Sequence, residues 1–83
     1  MDESIIKLLA TSKVSGLRQV MRYIADDKIK CVVLAKNAEL HIKNRVKVAC
    51  TASNIEVMNC DSREELGTAA GLSVPCSVVG FLK

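Results

Sequence analysis

The run Ile29-Lys30-Cys31-Val32-Val33-Leu34-Ala35 constrains this chain more than any other feature. It is short, rich in β-branched residues and apolar at both alternating sets of positions, the character of a strand covered on both faces. Such a strand needs packing partners above and below the sheet that contains it. Around it the sequence alternates between helical and extended patterns with short connections, which predicts helices on both faces of a small sheet. The expected fold class is therefore α/β, a single-domain three-layer α-β-α sandwich. With 83 residues, 49% of them hydrophobic, one core can close but two cannot, so residues 1–83 are read as one domain.

Asp2 and Glu3 precede Ile5, Ile6, Leu8 and Leu9, placing acids at the positive end of a short helix with one apolar face. Thr11 to Ser15 reads as a polar connector, with Ser15 as the cap of a second helix. There Leu17, Val20, Met21 and Ile24 follow the i, i+3, i+4, i+7 rule, leaving Arg18, Gln19 and Arg22 off the core face. Asp26-Asp27-Lys28 predicts a turn before the strand. A third helix follows Lys36-Asn37-Ala38-Glu39, with Ile42, Val46 and Ala49 inward and Lys43, Asn44 and Lys47 outward. Asn54 to Met58 reads as a strand, and Ser62-Arg63-Glu64-Glu65 fits a capping box opening a fourth helix that Gly71 stops. Ser77 to Leu82 is the last strand. Pro75 cannot donate to a ladder and is expected at a strand start or in an exposed loop. The order of strands in the sheet does not follow from the sequence.

Net charge is +3 but unevenly spread. Residues 1–48 carry ten basic and five acidic side chains, and residues 49–83 carry two and four, giving +5 and −2. A basic half raises the local concentration of an anionic partner and favours nucleic acid, although an ordinary solvated surface fits the same count. Tyr23 and Phe81 are the only aromatics, so no exposed aromatic platform is available for stacking bases. No apolar run is long enough for a membrane span and the Met1 segment lacks a secretory pattern, so a soluble, cytoplasmic protein is expected.

Several chemistries lack their residues. Cys31, Cys50, Cys60 and Cys76 lie 19, 10 and 16 residues apart, with no C-x-x-C pair for zinc or thiol exchange; buried thiols acting as small hydrophobes are expected. His41 is the only histidine and falls on an exposed helix side, with no nucleophile motif near it. The pairs Asp26-Asp27 and Glu64-Glu65 sit where turns and helix starts favour acids. The glycines at 16, 67, 71 and 80 are too scattered for a phosphate-cradling loop. Neither an enzyme nor a metal or cofactor site is expected.

The stretch Val14-Ser15-Gly16-Leu17-Arg18-Gln19 is more informative. A glycine at a helix start permits close backbone approach, and exposed amides with the helix dipole suit a phosphate. Arg18 and Gln19 have the donors and acceptors that match base edges. On these six residues alone, an ordinary helix start with polar side chains in water is the better reading.

Three segments taken together resemble a known family: Val14 to Gln19, then Val32-Val33-Leu34-Ala35-Lys36-Asn37-Ala38-Glu39, and Glu65-Leu66-Gly67-Thr68-Ala69-Ala70-Gly71-Leu72 with Val74-Pro75. From about Ser4 to Leu82 the chain is similar to the kink-turn RNA-binding proteins of the archaeal-type ribosomal L7Ae family, in its short bacterial form. The resemblance implies an α-β-α sandwich with a mixed sheet that grips a sharply bent RNA at a bulge followed by sheared G·A pairs. It implies RNA contacts by Gly16, Leu17, Arg18, Gln19, Arg22, Lys36, Asn37, Glu39 and Lys43, with Val74, Pro75 and Cys76 as a loop covering an extruded base. Leu40, Lys43 and Val74 depart from residues common in relatives. The implied partner is a kink-turn in ribosomal RNA or a riboswitch, met by a monomer that is ribosome-associated. The alternative is a protein-interaction module on the same scaffold without specific RNA binding, which would predict a disrupted Gly16 motif.

Overall fold

The computed structural model describes residues 12–83. The helix expected over residues 2–9 lies outside them. The elements run β1 (Lys13–Ser15), α1 (Leu17–Ala25), β2 (Ile29–Ala35), α2 (Leu40–Ala52), β3 (Glu56–Cys60), α3 (Arg63–Ala69) and β4 (Val78–Leu82). The four strands form one mixed sheet in the order β1-β4-β2-β3; β4 is antiparallel to both its neighbours, and β2 and β3 are parallel.

β2 takes the central place that its composition predicts. Every residue of it except Lys30 is buried. Lys30 is the extra residue of a bulge, since Ile29 pairs with Leu82 and Cys31 with Phe81. Adjacent residues of β4 point to opposite faces, so the bulge sends Ile29 and Cys31 to opposite faces as well. Val20 of α1 packs over Gly80, where a Cβ would lie 3.4 Å from Val20 Cγ2. That face carries α1 and α2, which also pack on each other, while α3 packs on β3 and β4. The opposite alternate set, Cys31, Val33, Val79 and Phe81, is buried too. The result is the three-layer sandwich with a small mixed sheet.

Two connections differ from the sequence reading. Lys13 to Ser15 is a strand, not a connector, because it pairs with Val79 to Phe81 at the sheet edge. Ser15 is therefore spent on the strand and does not cap α1. The cap is Gly16, at φ 88° and ψ 150°, with no side-chain hydrogen bond. β3 begins at Glu56 rather than Asn54, because Asn54 closes α2.

The three helices among the described residues end in the same way, with a residue at positive φ just beyond the cap: Asp27 at 57°, Asn54 at 57° and Gly71 at 80°. Lys28 N–H donates to Tyr23 O, Ile55 N–H to Cys50 O and Leu72 N–H to Gly67 O, the six-residue bond of a Schellman motif in each case. The α3 start is as expected: Ser62 Oγ accepts from Glu65 N–H at 3.1 Å. The four cysteines are free and buried. Burial pushes the thiols of Cys31, Cys50 and Cys60 above their ordinary value.

Candidate functional site

The strand directions decide where the loops meet. β1, β2 and β3 all end at the edge of the sheet where β4 begins. The β1–α1 corner, the β2–α2 loop, the β3–α3 junction and the loop before β4 therefore form one rim. Backbone hydrogen bonds stitch it together: Gly16 N–H to Val78 O, Ala35 N–H to Ser77 O, Lys36 N–H to Cys60 O and Cys76 N–H to Arg63 O, all between 2.9 and 3.0 Å. Segments distant in sequence thus share one end of the molecule.

On the α1 side of the rim, no side chain caps the first turn, leaving its amides open to an incoming acceptor. Arg18, Gln19 and Arg22 are exposed, while Leu17 is half-buried and packed against the core. Gly16 can hold its conformation because φ near 90° with extended ψ is essentially a glycine region. Nothing lies within 4 Å of where its Cβ would stand, so the requirement there is backbone shape and not space.

On the β2–α2 side, Lys36 is exposed and lies 3.7 Å from Asp61, a pair open enough to water to be worth little. Glu39 is the cap residue of α2, with an exposed carboxylate 3.4 Å from His41 Nδ1. Asn37 is fully engaged: its Oδ1 accepts from Arg63 N–H at 2.7 Å and its Nδ2 donates to Glu64 Oε2 at 3.3 Å. Lys43 does not face out as expected. It is half-buried and its Nζ donates to Lys36 O at 2.9 Å, bracing the loop from below. The sequence reading missed Arg63 and Glu64 as parts of this site. The capping box marked the start of α3, but nothing in it indicated that Asn37 would dock there.

The loop before β4 presents Val74, 61% exposed, and Pro75. Cys76 is turned inward, buried, with Sγ 3.1 Å from Val78 O, so the outer surface of the loop is Val74-Pro75. Gly67 sets the loop's height over α3: a Cβ there would collide with Val74 O. Glu64, Thr68, Leu72, Ser73, Val74 and Pro75 enclose a shallow cavity of about 210 Å³ beside it.

The described residues contain no group of three His, Cys, Asp or Glu side chains that could hold a metal ion. The cationic side chains on α1 have no acidic partner among the described residues.

Residues 3–83 match the model of the Ribosomal protein L7Ae/L30e/S12e/Gadd45 family. The chain belongs to this family. Among its relatives is the RNA-binding protein BH0128 of Halalkalibacterium halodurans, 31% identical over 74 residues, covering 89% of this chain and 90% of that one. The RNA-binding protein YbxF of Geobacillus stearothermophilus is 31% identical over 78 residues, 93% of this chain and 95% of its own. In fold, this L7Ae-family chain superposes on the Giardia lamblia 15.5kD RNA binding protein with a TM-score of 0.87 at 20% identity, covering all of this chain and 78% of that one. The relatives' names describe RNA-binding proteins, not enzymes.

Proposed function

We propose that this L7Ae-family chain is a cytoplasmic RNA-binding protein that recognises a kink-turn in a structured RNA, ribosomal RNA or a riboswitch, as a ribosome-associated monomer. One observation carries the reading: Arg18, Gln19 and Arg22 stand exposed on an uncapped helix start, without acidic partners among the described residues, on the same rim as Lys36 and Glu39. The names of its relatives agree with it.

The chemistry follows from the donors. The open amides of the first turn of α1 suit a phosphate, and the helix dipole adds to the attraction. Arg18 offers a fork that matches the O6 and N7 acceptors of guanine, and Gln19 both donates and accepts. Glu39, an acceptor among cations, suits a base amino group. Side chains do not ordinarily reach bases in the deep, narrow major groove of A-form RNA, but a kink beside sheared G·A pairs opens it. A protein that contacts only the bent form stabilises that form by its differential affinity. Val74 and Pro75 then supply an apolar cover for an unstacked base.

Arg18→Ala and Gln19→Ala test the assignment. Each should weaken binding to a kink-turn RNA by about fivefold or more, from roughly 1–3 kcal/mol per guanine contact. The denaturation midpoint should stay close to wild type because both side chains are exposed. Unchanged affinity, or a loss of affinity that tracks a loss of folding, contradicts it.

A further inference from the structure

Between the start of α1 and the middle of α2 lies a cleft of about 480 Å³ that runs on from the rim. Leu17, Arg18 and Met21 form one wall and Arg45 the other. Arg45 also borders the adjoining apolar groove of Met21, Val48 and Ala49. It is exposed and, among the described residues, no acid pairs with it. The acids on the rim stand beside other side chains: Glu39 beside His41, Asp61 beside Lys36 and Glu64 beside Asn37.

A guanidinium beside apolar side chains and without a counterion is a strong ligand for a phosphodiester. It is permanently charged, weakly hydrated and presents a planar fork of donors. Arg18 belongs both to the rim and to this cleft, so a strand bound at the rim has a continuous path into it. Resting on the RNA-binding reading above, we infer that Arg45 is a further RNA-binding residue, holding a backbone phosphate of the strand that leaves the rim along the α1–α2 cleft. Arg45 lies six residues beyond Glu39, about 9 Å along the helix at 1.5 Å per residue. The contacted phosphate therefore belongs to a nucleotide close to, but not at, the base bound on the rim. The contact sets register and adds affinity without reading sequence.

The test is a titration of kink-turn RNA over a series of salt concentrations, with wild type, Arg45→Ala, Arg45→Lys and Lys47→Ala. Lys47 is an exposed cation two residues along the same helix and away from the cleft. Arg45→Ala should bind several-fold more weakly at low salt and lose about 0.7–0.9 from the slope of log K against log salt, one phosphate's worth. Its preference for kinked RNA over the same RNA with Watson–Crick pairs in place of G·A should be unchanged. Arg45→Lys should restore the slope, and Lys47→Ala should alter neither quantity. A neutral methylphosphonate at the contacted position should weaken wild type but not Arg45→Ala. A wild-type slope in Arg45→Ala, or an equal drop in Lys47→Ala, overturns the inference while the kink-turn reading stands. Absence of any wild-type preference for kinked RNA overturns both.

Discussion

Asn37 is exposed, yet both ends of its amide are occupied, one by the backbone of Arg63 and the other by the carboxylate of Glu64. Its place on the rim is that of a positioning residue, fastening the β2–α2 loop to the start of α3. The Glu64 carboxyl is held below its ordinary value by its own backbone N–H first and the Asn37 amide second. A depressed carboxyl contributes stability above its unfolded value and loses it as pH falls through the native one. Asn37→Ala should therefore raise the Glu64 pKa toward the ordinary carboxylate range, seen by NMR titration, and lower the denaturation midpoint by removing the acceptor of Arg63 N–H. An unmoved Glu64 titration would deny the link. At this scale the sequence revealed what depends on helical period alone: Arg18, Gln19 and Arg22 fall outside because Val20 and Ile24 fall inside. It did not reveal the roles of Asn37, Lys43 or Cys76, each set by a neighbour the chain meets only after folding.

Among the elements, the helix stops were partly legible. Gly71 announces itself because glycine pays no steric penalty at positive φ, whereas Asp27 and Asn54 adopt the same conformation with a side chain present. Asn54 stands directly before the apolar run and so reads as part of the strand, which begins two residues later, at Glu56. Asn54→Ala should destabilise the fold by about 1 kcal/mol, because alanine tolerates the left-handed conformation less well than asparagine. Asn54→Gly should not destabilise it, and denaturation midpoints of the two variants decide the point; equal losses would mean that the side chain, not the backbone, matters there. β1 was not legible for a different reason. Three residues are too few to show a period of two, and Ser15 directly before a helical pattern has the chemistry of a cap. Only its pairing with β4 makes it a strand.

For the whole molecule, the covered central strand and the flanking helical patterns were enough for the layers, and the strand order was not. That order matters most for function, because placing β4 between β1 and β2 gathers Gly16, Lys36, Asn37 and Pro75 at one end of the sheet. The exposed Arg18, Gln19, Arg22 and Lys36 thereby share one end of the sheet with Glu39 at the start of α2 and with Asp61 and Glu64 at the start of α3. On the kink-turn proposal, contacts from loops on both sides of the sheet end would favour a bent polyanion over a straight one. The most direct test is a calorimetric titration of the protein with a kink-turn RNA and with the same RNA carrying Watson–Crick pairs in place of its G·A pairs, at two salt concentrations. Tight binding to the kinked RNA alone, with the preference retained at the higher salt, is the expected result. Equal, weak and salt-sensitive binding to both RNAs would contradict structure-specific recognition and reduce the rim to a generic basic patch.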